Sequence, residues 1–390
     1  MPAIEFQGSL PLLGRSFLVL SARGNQAQLM ETAQEDFQEH VAERLEDLSA
    51  ADDDELLTIP WILKALNVFL CCQDEFKSIL LNNKAFLKKA PMERYVSEYF
   101  EKSVKGLDVF NVIRDGIERI RQWQKLLEIV VCALDNQRSL GEAQFRRAKK
   151  ALIDLAICML DNNNTSSSSS ANKASIVAAS QRNRSFGRNN AQKDQRSMAQ
   201  FRSLSWSVSQ NWSAARQLQA MANSQNLVAP RSNEVVASNG FALAVFTMSY
   251  VLYFVMWALV AAIPCQDRGL HTHFYVANQF LWAAPLLSLH DRILEESKRK
   301  ERKNSCGLLK EIHGIEKCAR YINELTDMVQ FPLSEEQEKE VKERVDELKL
   351  VCDTLKEQLD PLERHVREAF HRIVRCRVEG FDSMGQTSQQ

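Results

Sequence analysis

The chain has 390 residues, of which 13 are Gly and 9 are Pro, and its formal net charge is −1 at pH 7. Few Gly and Pro residues, with apolar residues recurring at helical spacing, favour an all-α protein with one elongated domain or two average ones. The near-zero net charge provides no general attraction to nucleic acid, and we expect no nucleic-acid partner.

The cysteines and the first residues indicate the compartment. The nine cysteines are scattered and include no CxxC pair, which is typical of buried thiols in a reducing compartment and argues against a secreted disulfide scaffold. Residues 1–27 lack a basic start followed by a long apolar core, so we expect no secretory signal. A plastid transit peptide is disfavoured by Glu5 and by the few Ser and Arg residues. We predict an N-terminal arm that touches a membrane or docks onto a partner.

Residues 28–160 are predicted to form an antiparallel bundle of four amphipathic helices. Thr58 is placed to cap the second of them. The third helix is long and begins after Pro91. Gly106 and Gly116 lie inside it and favour a kink, since Gly weakens a helix by about 1 kcal/mol relative to Ala. Because each helix has one apolar face to cover, we expect the four to pack on one another.

Residues 161–200 are predicted to be a disordered linker, since they begin with the polar run DNNNTSSSSS. Eight basic residues and one acidic residue occur between Lys173 and Arg216. This excess is typical of a solvated linker, or it indicates an electrostatic contact with an anionic membrane. Ser185 and Ser205 each follow an Arg by three residues and are candidate phosphorylation sites, where phosphate would cancel much of the local positive charge.

An amphipathic helix and a connector are expected over residues 201–240, before the most apolar stretch of the chain. That stretch runs from Phe241 to Ile263 through Val251 and Trp257, without a charged residue. As a helix it would be about 35 Å long, against about 30 Å for the hydrocarbon core of a bilayer. It is apolar on every side, so it is either a membrane-embedded helix or the core of the bundle.

Residues 241–290 are predicted to form an apolar helical hairpin. Its second arm, residues 274–289, is short for a full membrane span, so a re-entrant or core segment is expected. The loop between the arms contains Cys265, His271 and His273. A metal site would need a fourth ligand in an ordered geometry, and we expect none.

Residues 291–380 are predicted to contain at least two helices that bear heptads, and residues 381–390 a loose tail. Ser334 and Gln337 form a capping box at the start of the last long helix.

Apolar residues follow this box in alternating steps of four and three over about five heptads. We call this stripe the seam. It comprises Val341, Val345, Leu348, Cys352, Leu355, Leu359, Leu362, Val366, Ala369, Ile373 and Cys376. Asp360 and Pro361 interrupt the seam and predict a new helix, with Asp360 as its cap. The break favours packing within the chain, or docking of another helical protein on Leu348, Leu355, Leu359 and Leu362, over formation of a homodimer.

No motif of a known reaction occurs in the sequence. It lacks a phosphate-binding loop, a G-x-S-x-G or H-E-x-x-H sequence and a nucleotide-binding fingerprint. The Asp, His and Cys residues are scattered over amphipathic helices, as is typical of ordinary surface and core positions. We therefore expect no enzyme, no cofactor and no small-molecule substrate.

Five segments carry a resemblance to one plant family. They read PWILKALNVFLCCQDEF, RDGIERIRQWQKLLEIV, FRSLSWSVSQNWSAARQLQAM, VMWALVAAIPCQDRGL and WAAPLLSLHDRI, and they span nearly the whole chain. They are similar to the plant BYPASS/ROH family, a family built on a domain of unknown function, and resemble its ROH branch most. That family has no known catalytic residues.

The resemblance implies a function and a location. It implies a plant protein that binds a helical exocyst tethering subunit of the Exo-seventy type and tempers polarised secretion, as in seed-coat mucilage deposition. The alternative, from the BYPASS branch, is a membrane-anchored regulator of plant growth that restrains a root-derived mobile signal. The expected location is the cytosol and the cytosolic face of a membrane, or a single-pass membrane protein, without secretion.

Overall fold

The computed structural model describes residues 35–84, 87, 90–135, 140–160, 213–223, 227–265, 270, 274–302, 305–328 and 331–385. Within these ranges the chain forms a packed bundle of α-helices and contains no strand, which confirms the all-α prediction. The helices are α1 (residues 35–49), α2 (Ile59–Asn82), α3 (Met92–Leu134), α4 (Glu142–Leu160), α5 (Ala214–Ala222), α6 (Ser232–Ala237), α7 (Phe241–Ala262), α8 (Ala283–Lys298), α9 (Lys310–Met328) and α10 (Glu335–Gly385), with a 3₁₀ turn at Lys300–Arg302. The predicted arm and linker lie outside the described residues.

Local sequence signals determine where two of the helices begin. Thr58 caps α2 as predicted, because its Oγ1 accepts a hydrogen bond of 3.3 Å from the amide of Trp61. Ser334 and Gln337 form the predicted capping box before α10. The Ser334 Oγ accepts from the amide of Gln337 at 3.3 Å, and the Gln337 Oε1 accepts from the amide of Ser334 at 3.2 Å. These bonds satisfy amides that the first turn of a helix leaves unpaired.

Helix α7 is the central helix of the bundle. Helices α2, α3, α5, α6 and α8 pack against it, and all of its residues except Leu243 are buried. By length and composition α7 would be able to cross a membrane, but 94% of its most apolar window is buried inside the bundle. In this structure the apolar stretch is therefore surrounded by helices, which is the core alternative of the two that the sequence leaves open.

The C-terminal end of α7 is hydrogen-bonded to a segment far along the chain. The carbonyls of Ala261 and Ala262 accept from the amides of Leu308 and Leu309, at 3.0 and 3.1 Å respectively. The last carbonyls of a helix have no partner within the helix, so these two bonds cap α7. The segment before α9 thus fixes the position of the central helix.

Helix α3 continues without a break through Gly106 and Gly116. A Cβ atom at Gly116 would lie 2.5 Å from the carbonyl oxygen of Pro264, and one at Gly106 would lie 3.3 Å from a methyl of Leu252. Because both glycines lack a side chain, α7 and the turn after it approach the backbone of α3 closely. The glycines that indicated a kink in the sequence are packing positions in the fold.

Helix α10 lies along α2 and α3, and every residue of the seam is buried. The prediction that a new helix begins at Asp360 is wrong, since α10 continues through Pro361. A proline inside a helix removes one hydrogen bond and costs about 3 kcal/mol. Contacts with α3 hold the two sides together: Arg121 binds Asp360 at 2.8 Å and Glu363 at 3.0 Å, and the seam is buried before and after the proline.

The second arm of the predicted hairpin begins later than expected. Residues 274–282 are not helical, and α8 runs from Ala283 to Lys298, beyond the predicted boundary at residue 290. The hydroxyl of Tyr250 on α7 donates to the carbonyl of Tyr275 at 2.7 Å and lies 3.1 Å from that of Leu227. These contacts hold the loop on α7, where it covers part of the central helix before α8 begins.

Candidate functional site

The leucines predicted as a partner-docking seam do not form a surface. Leu348, Leu355, Leu359 and Leu362 are all buried, and α10 packs on α2, α3 and α9. The seam is thus used for packing within the chain, which is the intramolecular alternative of the sequence prediction. A partner would have to bind elsewhere.

The residues of the apolar stretch that were predicted to lie in a membrane helix or a core helix are in the core. Phe241, Val251, Trp257 and Ile263 are all fully buried. The ring of Trp257 lies 5.6 Å from that of Phe274 and 4.7 Å from that of His290, so the loop and α8 cover it.

Most of the remaining predicted positions are not described by the structure. Ser185, Ser205, His271 and His273 lie outside the described residues. Cys265 is buried, and no group of three or more His, Cys, Asp or Glu residues suited to a metal ion occurs in the part of the chain that the structure describes.

Three buried cysteines have thiols that resist ionisation. Burial raises the pKa of Cys72, Cys352 and Cys376 to about 12 in each case. The thiolate is the reactive form of cysteine, and at pH 7 these three side chains are protonated. Their chemistry is that of small apolar core residues.

A concave surface lies between α4 and α9, and we call it the α4–α9 groove. Its volume is about 640 Å³. Its lining is mainly apolar, and it consists of Leu152, Ile153, Leu155, Ala156, Ile157, Met159, Cys306 and Ala319, with Glu301, Ser305, Glu316, Arg320 and Asn323 as polar members. Helix α4 forms one side because its buried face (Phe145, Ala148, Leu152 and Leu155) packs on α3 and turns the next stripe outward.

Side-chain contacts close the groove at the end where α4 begins. Lys149 of α4 pairs with Asp327 of α9, and the ring of Phe145 packs edge-on against that of Phe331 at 5.4 Å. Because α4 and α9 run in opposite directions, the C-terminal half of α4 faces the first half of α9.

The other end of the groove is formed by the segment before α9. The Cys306 Sγ lies 3.9 Å from the carbonyl oxygen of Met159 and 3.9 Å from Glu316. The Ser305 Oγ binds Glu316 at 3.0 Å. These bonds orient the Glu316 carboxylate, so the groove has an ordered acidic side near its end.

Two isoleucines of α4 are exposed in the groove. Ile153 is 48% exposed and Ile157 is 52% exposed, and they lie one helical turn apart on the same face. The lining residues of α4, from Leu152 to Met159, extend over about 10 Å, or two turns. An apolar groove of this length is suited to the apolar face of a short stretch of helix.

The sequence of α4 contains a signal for this groove in addition to its buried face. In α4 the apolar residues exceed one stripe, because Ile153 and Ile157 repeat at four residues beside the buried set. An outer helix whose apolar residues extend beyond its buried face has a second apolar surface, which indicates contact with another part of the chain or with a partner. Its partner surface on α9 comes from a distant part of the chain, so only the fold shows that a groove results.

Comparisons with known proteins agree with the resemblance noted in the sequence. A sequence model described as Protein ROH1-like matches residues 1–384. The chain is 55% identical to Protein ROH1D of Arabidopsis thaliana, over 99% of both chains. It is 37% identical to Protein ROH1A of the same plant, over 100% of this chain and 98% of the relative. No solved structure matches.

Proposed function

Since this chain belongs to the ROH1-like family, we propose that it is a non-enzymatic helical adaptor that tempers polarised secretion by binding a helical exocyst tethering subunit. The observation that carries the proposal is the α4–α9 groove, whose exposed isoleucines and length suit the apolar face of a partner helix. The identity of the partner rests on the resemblance to the ROH branch.

The groove supports a particular recognition mode. A partner helix would insert two aliphatic side chains, three or four residues apart, between Ile153 and Ile157 on one side and Ala319 on the other. A basic residue next to them would lie near Glu316, whose carboxylate is already held by Ser305. Two aliphatic anchors with an adjacent Lys or Arg are therefore the sequence that we expect in the partner.

The proposed location is the cytosolic face of a membrane where secretory vesicles are tethered. Because α7 is buried in the bundle, contact with lipid would come from other parts of the chain. We assign it to the basic residues between Lys173 and Arg216, which suit an anionic bilayer. Binding to vesicles that contain phosphatidylserine should weaken as salt is raised, whereas neutral vesicles should not bind.

The test combines recovery of the partner with a change in the groove. The full chain should recover an exocyst subunit from plant extract, and the purified pair should bind directly in calorimetry. Ile157→Asp places a charge in the apolar part of the groove. Loss of one central anchor costs about 2 kcal/mol or more, so the dissociation constant should rise about 30-fold.

Leu350→Asp is the matched control, because Leu350 is exposed on α10, away from the groove. Both variants should retain the helical circular dichroism of the wild type, since neither position is buried. Failure to recover any exocyst subunit would contradict the partner. Recovery with equal affinity for wild type and Ile157→Asp would contradict the groove and leave the partner standing.

A further inference from the structure

A second exposed apolar surface lies beside the N-terminal half of α7. It is formed by two loops, and we call it the loop patch: Val228, Tyr275 and Leu281, with the half-buried Phe280 preceding Leu281 in the chain. The exposed fractions are 71% for Val228, 83% for Tyr275 and 67% for Leu281. Exposed apolar side chains that cluster in this way mark an interaction surface more often than isolated ones do.

The two loops meet on α7. The Tyr250 hydroxyl contacts the carbonyl of Leu227, next to Val228, and that of Tyr275. The ring of Phe280 lies 4.9 Å from that of Phe246 and 5.5 Å from that of Trp282. The patch thus rests on a packed aromatic cluster, and its position relative to α7 is fixed.

Helix α1 begins next to this patch. Gln38, in the first turn of α1 that the structure describes, accepts hydrogen bonds through its Oε1 from Trp282 Nε1 at 2.8 Å and from Thr247 Oγ1 at 2.7 Å. Trp282 directly follows Leu281 of the patch. The first described residues of the chain therefore lie near the loop patch.

The composition of residues 1–34 matches the patch. Leu10 to Leu20 reads LPLLGRSFLVL, with Arg15 as its only charged residue. About fourteen residues separate Leu20 from the start of α1, and they can span up to about 46 Å when extended. That reach exceeds what a contact with the adjacent loops requires.

The surroundings of the patch disfavour an anionic membrane as the occupant. Residues 274–282 and 227–230 contain no charged residue. Attachment to anionic lipid draws on clustered Lys and Arg, which these loops lack. An apolar peptide segment is the occupant that the patch suits.

We propose that Leu10 to Leu20 docks on the loop patch of its own chain and covers Val228, Tyr275 and Leu281. The docked segment holds the loops of residues 227–229 and 274–282 against α7. This contact is separate from the α4–α9 groove and does not depend on the proposed partner.

Photo-crosslinking in the full-length chain tests the proposal. p-Benzoylphenylalanine in place of Leu281 should form an intramolecular crosslink to a peptide within residues 8–22, identified by mass spectrometry. The same group in place of Leu350, exposed on α10, should not reach that peptide. Phe17→Asp, combined with the probe at Leu281, should abolish the crosslink, whereas Gln26→Asp should preserve it.

Hydrogen exchange gives an independent readout. In full-length Phe17→Asp, amides of residues 274–282 should exchange several-fold faster than in the wild type, while those of α10 should not change. A crosslink from Leu281 to a second copy of the chain, to lipid in phosphatidylcholine vesicles or to any other segment would overturn the proposal. Unchanged exchange in Phe17→Asp would overturn it as well.

Discussion

Val251→Asp tests whether α7 is a core helix. Val251 is fully buried near the middle of α7, a helix that contains no charged residue to pair with a new carboxylate. The change loses about 2 kcal/mol of apolar burial and adds a penalty of about 3 kcal/mol or more for an unpaired buried charge. A total of about 5 kcal/mol is comparable to the whole stability of many domains. We therefore expect the entire bundle to unfold or aggregate.

The assay is cell fractionation with circular dichroism of the purified protein. Wild type should be released from microsomes by carbonate and high salt and should show cooperative thermal unfolding. Val251→Asp should lose helical signal or aggregate, whereas Val378→Asp, at an exposed position of α10, should behave as wild type. A wild type that resists carbonate, together with a Val251→Asp variant whose other helices stay folded, would refute the core placement of α7.

Three further changes test other parts of the fold. Burial lowers the pKa of Lys102 from 10.5 to about 7, so the unfolded chain binds more protons between these values and stability should rise with pH across this window. In denaturant titrations, Lys102→Met should remove this pH dependence and raise the free energy of unfolding at pH 7 by on the order of 3 kcal/mol. Lys105→Met, the control, should change neither the pH dependence nor the free energy of unfolding. Gly116→Ala should destabilise the protein by about 1–3 kcal/mol in calorimetry, because the new methyl group meets the carbonyl of Pro264. Gly314→Ala, the control, should have little effect, because only the side chain of Val351 lies near that position. Deleting residues 162–199 should leave the melting temperature within a few degrees; a large loss of helical signal would show that this segment is packed.

Periodicity in the sequence predicted the buried faces of the long helices, because burial on one face requires apolar residues at a spacing of three or four. The seam of α10 was found in this way, and the start of α2 was found from the capping residue Thr58. The error at Pro361 has a physical cause. A local rule gives the cost of a proline, whereas the seam is buried on both sides of Pro361 by helices distant in the sequence, and Arg121 of α3 adds ion pairs.

The groove and the loop patch were not predicted because each joins distant segments. Ile153 and Ile157 become a binding surface only when α9 lies beside α4. The loops that carry Val228 and Tyr275 meet in the fold, where the hydroxyl of Tyr250 contacts the carbonyls of Leu227 and Tyr275. Local sequence patterns contain no information on such pairings. The same limit applies to the four leucines of the seam, whose apolar character fits a partner and a neighbouring helix equally well.

The hydrophobicity of α7 fits a core helix and a membrane span equally well, and its polar groups support the core placement. The Thr247 hydroxyl donates to Gln38 of α1 at 2.7 Å and accepts from Trp282 at 3.1 Å. At the other end, the carbonyls of Ala261 and Ala262 accept amides from the segment before α9. Moving α7 into a bilayer would break these bonds and leave buried donors and acceptors unpaired, at about 1–3 kcal/mol each. It would also uncover the apolar faces of α2, α3 and α8. The bonds near both ends of α7 therefore support its placement as the buried central helix of the bundle.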